Sequence, residues 1–342
     1  MHTCDSLAQL AAGWFRERIA AVWLWASFAA YCIIYTPYAF LSKRLSASAP
    51  ADMALPLTIQ IMPLMAAAGF IITCAQFFII GLLQSRGRDA LVFWKKLKIE
   101  PSNVLGGLCC GTINVTTNSS YMLHGASLVT MLLLMRGGMM MMGPPADAVS
   151  GRQISRGTWA AFCVALGAFA CGLAGAGGVP ALGFGILILY LAAYATNFSL
   201  FGKKQGDFEW LCSTQLVACG SQLIVSTLMS TFTSHMDFTS FGDSVMLQAF
   251  LVGAMAQLTG IFGPMILMAP DTEQTFSAAL NRSGAMISGV TASVMLGAPL
   301  SFLQMSGVAL FISAIVLLFL TKRAVQRREM RVKLDTTPQL SG

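Results

Sequence analysis

Ten apolar runs of about 18 to 25 residues recur along this 342-residue chain, and they leave little choice of fold. They lie near 20–40, 56–83, 103–122, 126–146, 157–175, 179–200, 209–231, 245–268, 274–296 and 300–321. A run of that length crosses the hydrocarbon core of a bilayer as a helix, because a helix satisfies every peptide group within its own segment. Charged residues make up 10% of the chain and hydrophobic ones 56%. A soluble domain carries about a quarter charged residues, which excludes a water-soluble globule. The sequence predicts an all-α polytopic membrane protein with ten transmembrane helices. The thinnest boundary is the polar knot from Tyr121 to Ser127, including His124, between the third and fourth spans. The first run, Ala20 to Phe40, is too long for the core of a cleavable signal and is followed at once by Lys43 and Arg44, so it is expected to remain as a span.

The basic residues support the count. Ten spans put both termini on one side. On that side lie Arg16, Arg18, Arg86, Arg88, Lys95, Lys96, Lys98, Arg152, Arg156, Lys203, Lys204, Lys322, Arg323, Arg327, Arg328, Arg331 and Lys333, against Lys43 and Arg44 on the other. A bias of 17 to 2 predicts cytosolic termini. The net charge of +7 thus reads as membrane topology, with no aromatic-interleaved patch for nucleic acid.

The last two basic residues, Arg136 and Arg282, stand inside spans, in segments that are partial copies of each other. Aligned without a gap, Leu134 to Ser155 and Leu280 to Ser301 share eight identities in 22 positions, among them the arginines, Gly138 with Gly284, Gly143 with Gly289 and Gly151 with Gly297. The offset is 146 residues. Each half then holds five spans, and an odd number inserts the second half upside down. Inverted repeats of this kind build transporters whose substrate site lies near the midplane. The expected organisation is a tail over 1–19, one five-helix repeat over 20–176, a second over 177–322 and a basic tail over 323–342.

An arginine at mid-depth costs about 2.5–3.5 kcal/mol on the insertion scale. Neither span holds a carboxylate within helical reach of its arginine; Asp147 lies eleven residues on. An unpaired guanidinium, with five donors in a fixed fork, suits a phosphate. The plainer reading of each arginine is a bond to a neighbouring helix's carbonyls, or a side chain that snorkels. All fourteen acidic residues lie in loops, tails or span ends, which weakens proton-coupled export of cations and favours exchange of anions.

Asn281 adjoins Arg282, and Gln215, Asn118 and Tyr194 are further in-span polar groups that could read a substrate, although such groups more often join helices. The expected binding residues are Arg282, Asn281, Arg136, Gln215, Asn118 and Tyr194. Eight of the nine cysteines fall in apolar segments without metal-type spacing, no phosphate-loop pattern occurs, and no cofactor or metal is expected. His2, His124 and His235 are scattered, which argues against a membrane enzyme.

Ala278-Ala279-Leu280-Asn281-Arg282, followed by Gly297-Ala298-Pro299-Leu300-Ser301 and Gln304, resembles the last two spans of nucleotide-sugar transporters in the drug/metabolite transporter superfamily. Ala278 and Arg282 replace the Gly and Lys of that family's G-A-L-N-K motif. Leu211-Cys212-Ser213-Thr214-Gln215 stands where GDP-mannose members carry F-Y-N-N. The resemblance implies Asn281 and Arg282 in contact with a nucleotide-sugar, exchange for nucleoside monophosphate, and a Golgi or ER membrane in a eukaryote. It leaves room for a homodimer in the lipid bilayer. The alternatives are an exporter of amino acids, other small metabolites or drugs, and a non-transporting membrane enzyme or scaffold.

Overall fold

The computed structural model describes residues 2–47, 54–87, 89–123, 126–142, 144, 154–176, 179–204, 206–233, 242–269 and 274–336. Among them ten long helices follow one another: α1 (His2–Ala47), α2 (Ala54–Gln84), α3 (Pro101–Met122), α4 (Leu128–Met140), α5 (Arg156–Ala174), α6 (Ala181–Lys203), α7 (Phe208–Thr233), α8 (Asp243–Leu267), α9 (Gln274–Met295) and α10 (Phe302–Thr336). The chain is an all-helical, polytopic membrane protein. His124, Asp147, Arg152 and His235 lie outside the described residues.

Seven helices are long and apolar enough to cross a bilayer by themselves: α1, α2, α5, α6, α7, α8 and α10. The other three differ for one physical reason. α4 is only 13 residues long, and α3 and α9 are diluted by polar side chains. All 13 residues of α4 are buried, and so are the described residues of α9 from Phe276 to Met286. Helices walled in by other helices need not be apolar, because protein rather than lipid surrounds them.

Some boundaries move from their sequence positions. α1 is helical from His2 and α10 to Thr336, so the segments expected as tails continue the first and last helices. α4 stops at Met140, ahead of Pro144-Pro145, which cannot continue a helix. Gly297 takes φ +67°, where a side chain would be strained, and Ser301 and Gln304 cap α10 reciprocally: Ser301 N donates to Gln304 Oε1 at 2.9 Å and Gln304 N to Ser301 Oγ at 3.3 Å. Gln304 Nε2 then donates to Thr130 Oγ1 at 2.9 Å, fixing α10 to α4. The glycine-to-serine turn is therefore a structural device. Between α2 and α3, the Lys95 ammonium bonded to Asp89 at 3.0 Å holds that carboxyl below its usual range.

The helices pack in pairs related by five. α1 and α2 both lie against α8, and α6 and α7 both lie against α3. α4 packs on α5 and α9 on α10, while α2 meets α7, α4 meets α9 and α5 meets α10. Exchanging each helix for the one five places along returns these pairings, whereas the α1–α3 and α4–α10 contacts have no comparable counterpart among the described residues. Two glycines mark it most closely. A Cβ on Gly107 would lie 2.6 Å from the Val217 side chain and 2.9 Å from the Thr214 carbonyl of α7; one on Gly253 would lie 2.1 Å from the Met65 carbonyl of α2. Gly107 and Gly253 are 146 residues apart, the offset of the two arginines.

Candidate solute chamber

Arg136 on α4 and Arg282 on α9 meet in the middle of the bundle, 2% and 0% exposed. Arg136 Nη1 donates to the Tyr190 hydroxyl at 2.5 Å and Nη2 to the Tyr35 hydroxyl at 2.5 Å. Arg282 Nη1 donates to the Tyr194 hydroxyl at 3.2 Å and reaches the same Tyr190 hydroxyl at 3.5 Å, while its guanidinium lies 4.3 Å from the centre of the Tyr194 ring. One phenol oxygen thus stands between two cations. Their Nη1 atoms are no farther apart than those 2.5 Å and 3.5 Å contacts laid end to end. At about 6 Å and an effective dielectric near 20, two unit charges repel by about 3 kcal/mol.

Among the described residues no carboxylate pairs with either arginine. The ion pairs among the described residues, Lys95–Asp89 and Lys204–Glu100, lie in connections outside the chamber. Arg136 Nε and Arg282 Nε and Nη2 are buried and have no hydrogen-bond partner among the described residues. Orphaned donors on a buried cation carry the largest penalty of any unmade hydrogen bond.

All six tyrosines of the chain gather here. Tyr35 shares a hydroxyl hydrogen bond with Tyr121, Tyr38 donates to Asn118 Oδ1, and Tyr31 stacks on Tyr35 with ring centres 5.1 Å apart. Tyr31, Tyr35 and Tyr38 occupy one face of α1 at the i, i+4, i+7 spacing. Tyr190, Tyr194 and Asn197 occupy α6 with the same spacing, at a constant offset of 159. The Arg136–Tyr35 contact and the Arg282–Tyr194 contact are therefore counterparts. A similar correspondence holds for the wall: Cys110, Ile113, Asn114 and Thr117 of α3 line the chamber, and so do Ala256, Thr259, Gly260 and Gly263 of α8, each 146 residues later.

The chamber these residues enclose measures about 50 Å³, which is room for a few water molecules at about 10–15 Å³ each. Of the residues expected at a site, Arg136, Tyr194, Gln215 and Asn281 line it. Arg282 sits against the Tyr194 ring, and Asn118 is engaged by Tyr38 between α1 and α3. Gln215 bridges helices: its Nε2 donates to the Gly260 carbonyl at 2.5 Å and its Oε1 accepts from Gln257 at 3.3 Å. Gly260 needs that donor because Pro264, four residues on, has no N–H to offer it. Asn281 Nδ2 donates to the Gly263 carbonyl at 3.0 Å, in the same loosened turn of α8. Asn197 donates to Cys110 Sγ at 3.2 Å and keeps its own Oδ1 unpaired.

The chamber is closed at the end of the bundle where α1 stops. Besides the Tyr35–Tyr121 and Tyr38–Asn118 bonds, Ser46 Oγ donates to the Met122 carbonyl at 2.7 Å, and Lys43 Nζ to the Leu123 and Ala126 carbonyls at 3.1 and 2.8 Å. These bonds stitch α1 to α3 and to the approach of α4. Among the described residues the counterparts α6 and α8 form no comparable seam; beyond their ends Gly206 N donates to the Met268 carbonyl at 3.0 Å.

No protein-family model matches the chain, and no curated protein does. A solved structure described as "Crystal structure of protein" superposes with a TM-score of 0.49 at 15% identity, covering 85% of this chain and 98% of that one.

Proposed function

We propose that the chain is an alternating-access membrane carrier of an anionic solute, built from two inverted five-helix repeats. The observation that carries this reading is the pair of buried guanidiniums sharing one tyrosine hydroxyl, with no ion-pair partner for either among the described residues. The exchange symmetry of the packing and the two constant residue offsets support the duplication. The bias of basic residues supports cytosolic termini. With that orientation, the stitched α1–α3 seam closes the chamber away from the cytosol.

The solute we propose is a nucleotide-sugar exchanged for nucleoside monophosphate, in a Golgi or ER membrane if the cell has one. Two cations about 6 Å apart match a group carrying two negative charges, which both exchange partners supply. The tyrosine walls of α1 and α6 offer faces for a base. Loading requires the helices to part, since sites for molecules of that size measure about 300–1,000 Å³. Exchange follows from the same electrostatics: an empty site leaves two unneutralised cations to be carried through the transition, so unloaded reorientation is slow.

The small volume of the chamber, about 50 Å³, favours a second reading, a carrier of a smaller metabolite anion on the same arginines. Counterflow in proteoliposomes separates the readings. Uptake of a labelled nucleotide-sugar should rise when nucleoside monophosphate is loaded on the far side. Uptake indifferent to the trans nucleotide, but accelerated by a small trans anion, selects the smaller solute; uptake indifferent to every trans anion contradicts both.

A further inference from the structure

A second cavity, about 630 Å³, lies outside the chamber on the flank of the bundle, between α3, α6, α7 and the first turns of α2. It backs onto α3 from the opposite side. Cys110, Ile113, Asn114 and Thr117 of that helix face the chamber, whereas Thr112, Val115, Thr116 and Ser119 face this groove. Its rim is open to the surroundings of the bundle: Leu108, Leu182, Leu189, Val225 and Met229 all line it and are 40–54% exposed.

The walls specify the occupant's chemistry. Among the described residues no charged side chain lines the groove, and its polar lining is Thr112, Thr116, Ser119, Ser221 and Gln222. Its threonine hydroxyls are already bonded within α3, Thr112 to the Leu108 carbonyl at 2.9 Å and Thr116 to the Thr112 carbonyl at 2.7 Å. Ser221 is likewise bonded to the Ala218 carbonyl at 3.0 Å. A polar solute would lose water there and gain little. The groove runs along α3 from Leu108 to Met122, about 21 Å at about 1.5 Å per residue. That is enough to take a chain through one leaflet, half of a hydrocarbon core about 30 Å thick. A second copy of this chain fits poorly, because a two-fold contact sets a patch against itself, and a hollow against a hollow leaves a void.

We infer that this groove is a binding site for one acyl chain of a bilayer phospholipid, entering from the leaflet on the side where α1 ends. Its occupant buttresses α3 from behind while the α1–α3 seam closes in front. If the carrier reading above holds, withdrawing α3 from that seam compresses the filled groove, so the lipid chain favours the closed seam. Binding itself does not depend on that reading.

The test uses the full chain in phosphatidylcholine vesicles containing a trace of phosphatidylcholine with a nitroxide near the end of one chain. The spin-label spectrum separates motionally restricted lipid from fluid lipid. Wild-type protein should hold about one more restricted lipid per chain than Val225→Trp or Ser119→Phe, which fill the groove. Both variants are to be checked for an unchanged size-exclusion profile. Equal restricted fractions in wild type and both variants overturn the proposal. So does a wild-type dimer that the same substitutions convert to monomer, since a second copy would then be the occupant. Should both variants fail to fold, native mass spectrometry of the wild type decides: one phospholipid retained as detergent is stripped supports the site, and none refutes it. Counterflow can fail while the restricted lipid persists, so the two readings stand or fall separately.

Discussion

Replacing Tyr190 by Phe removes one oxygen from the place where both arginines converge, and the structure says what that should cost. The hydroxyl accepts from Arg136 at 2.5 Å and lies 3.5 Å from Arg282, so the strong bond is the one to Arg136. A hydrogen bond to a charged group contributes about 1.5–3 kcal/mol, and here the donor left behind is 2% exposed. Repulsion between the two guanidiniums, about 3 kcal/mol at 6 Å, also loses its intervening acceptor. The ligand-free protein should therefore lose about 2–4 kcal/mol. A bound anion offers its own oxygens to the same donors, so the loss measured with saturating nucleoside monophosphate should shrink to about 1 kcal/mol. Unfolding in detergent, followed with and without the nucleotide, reads both numbers. Equal losses in the two conditions would refute the idea that the hydroxyl stands where the anion binds.

Four further outcomes follow from the same geometry. Arg282→Ala should abolish anion-dependent stabilisation, and Arg282→Lys should restore only part of it, since one ammonium cannot reproduce the fork that stacks on Tyr194; thermal shifts with nucleotides measure this. Binding of a phosphate monoester should strengthen as pH rises through about 6, where its second proton leaves. Isothermal titration from pH 5 to 8 checks that, and weakening over the same range would point to a titrating protein group instead. Gly253→Ala places a methyl 2.1 Å from the Met65 carbonyl and should destabilise the fold by about 1–3 kcal/mol by forcing α2 from α8; the same change at Gly185, where a Cβ meets nothing within 4 Å, should be close to neutral. Lys43→Met removes the donor to the Leu123 and Ala126 carbonyls and should loosen the α1–α3 seam. A cysteine at Thr117, which lines the chamber, should be labelled from the far side faster on that background than with Lys43 in place, and an unchanged rate would assign the closure to other contacts.

The sequence carries much of the architecture because lipid imposes a length rule on every segment. All ten apolar runs correspond to helices among the described residues. Length and hydropathy leave out α4 because it is only 13 residues long, and α3 and α9 because polar side chains dilute them. The arginines stood out because a mid-span cation demands an explanation, and Asn281 because it neighbours one. Tyr31, Tyr35, Tyr38 and Tyr190 were not legible as site residues, since aromatics at helical spacing serve packing and interfaces equally well. A signal existed nonetheless: Tyr31 and Tyr35 reappear as Tyr190 and Tyr194 at an offset of 159. It is hidden beside the 146-residue repeat because the stretch from α1 to α3 is 13 residues longer than its counterpart. Asn118 illustrates the opposite case. Its polarity marked it as a possible substrate contact, and the structure shows it accepting from Tyr38 between α1 and α3. Which polar group reads solute and which joins helices depends on neighbours that no single-chain pattern specifies.

If an anion completes the buried arginine pair, binding shows it without requiring transport. Purified protein should be screened by thermal shift against nucleoside mono- and diphosphates, nucleotide-sugars, neutral amino acids and organic cations, in wild type, Arg136→Ala and Arg282→Ala. Phosphate-bearing solutes should stabilise the wild type, by about 2.7 kcal/mol at a hundredfold excess over Kd, and should not stabilise either variant. Stabilisation by cations or neutral amino acids alone, or by phosphates equally in all three proteins, would contradict it.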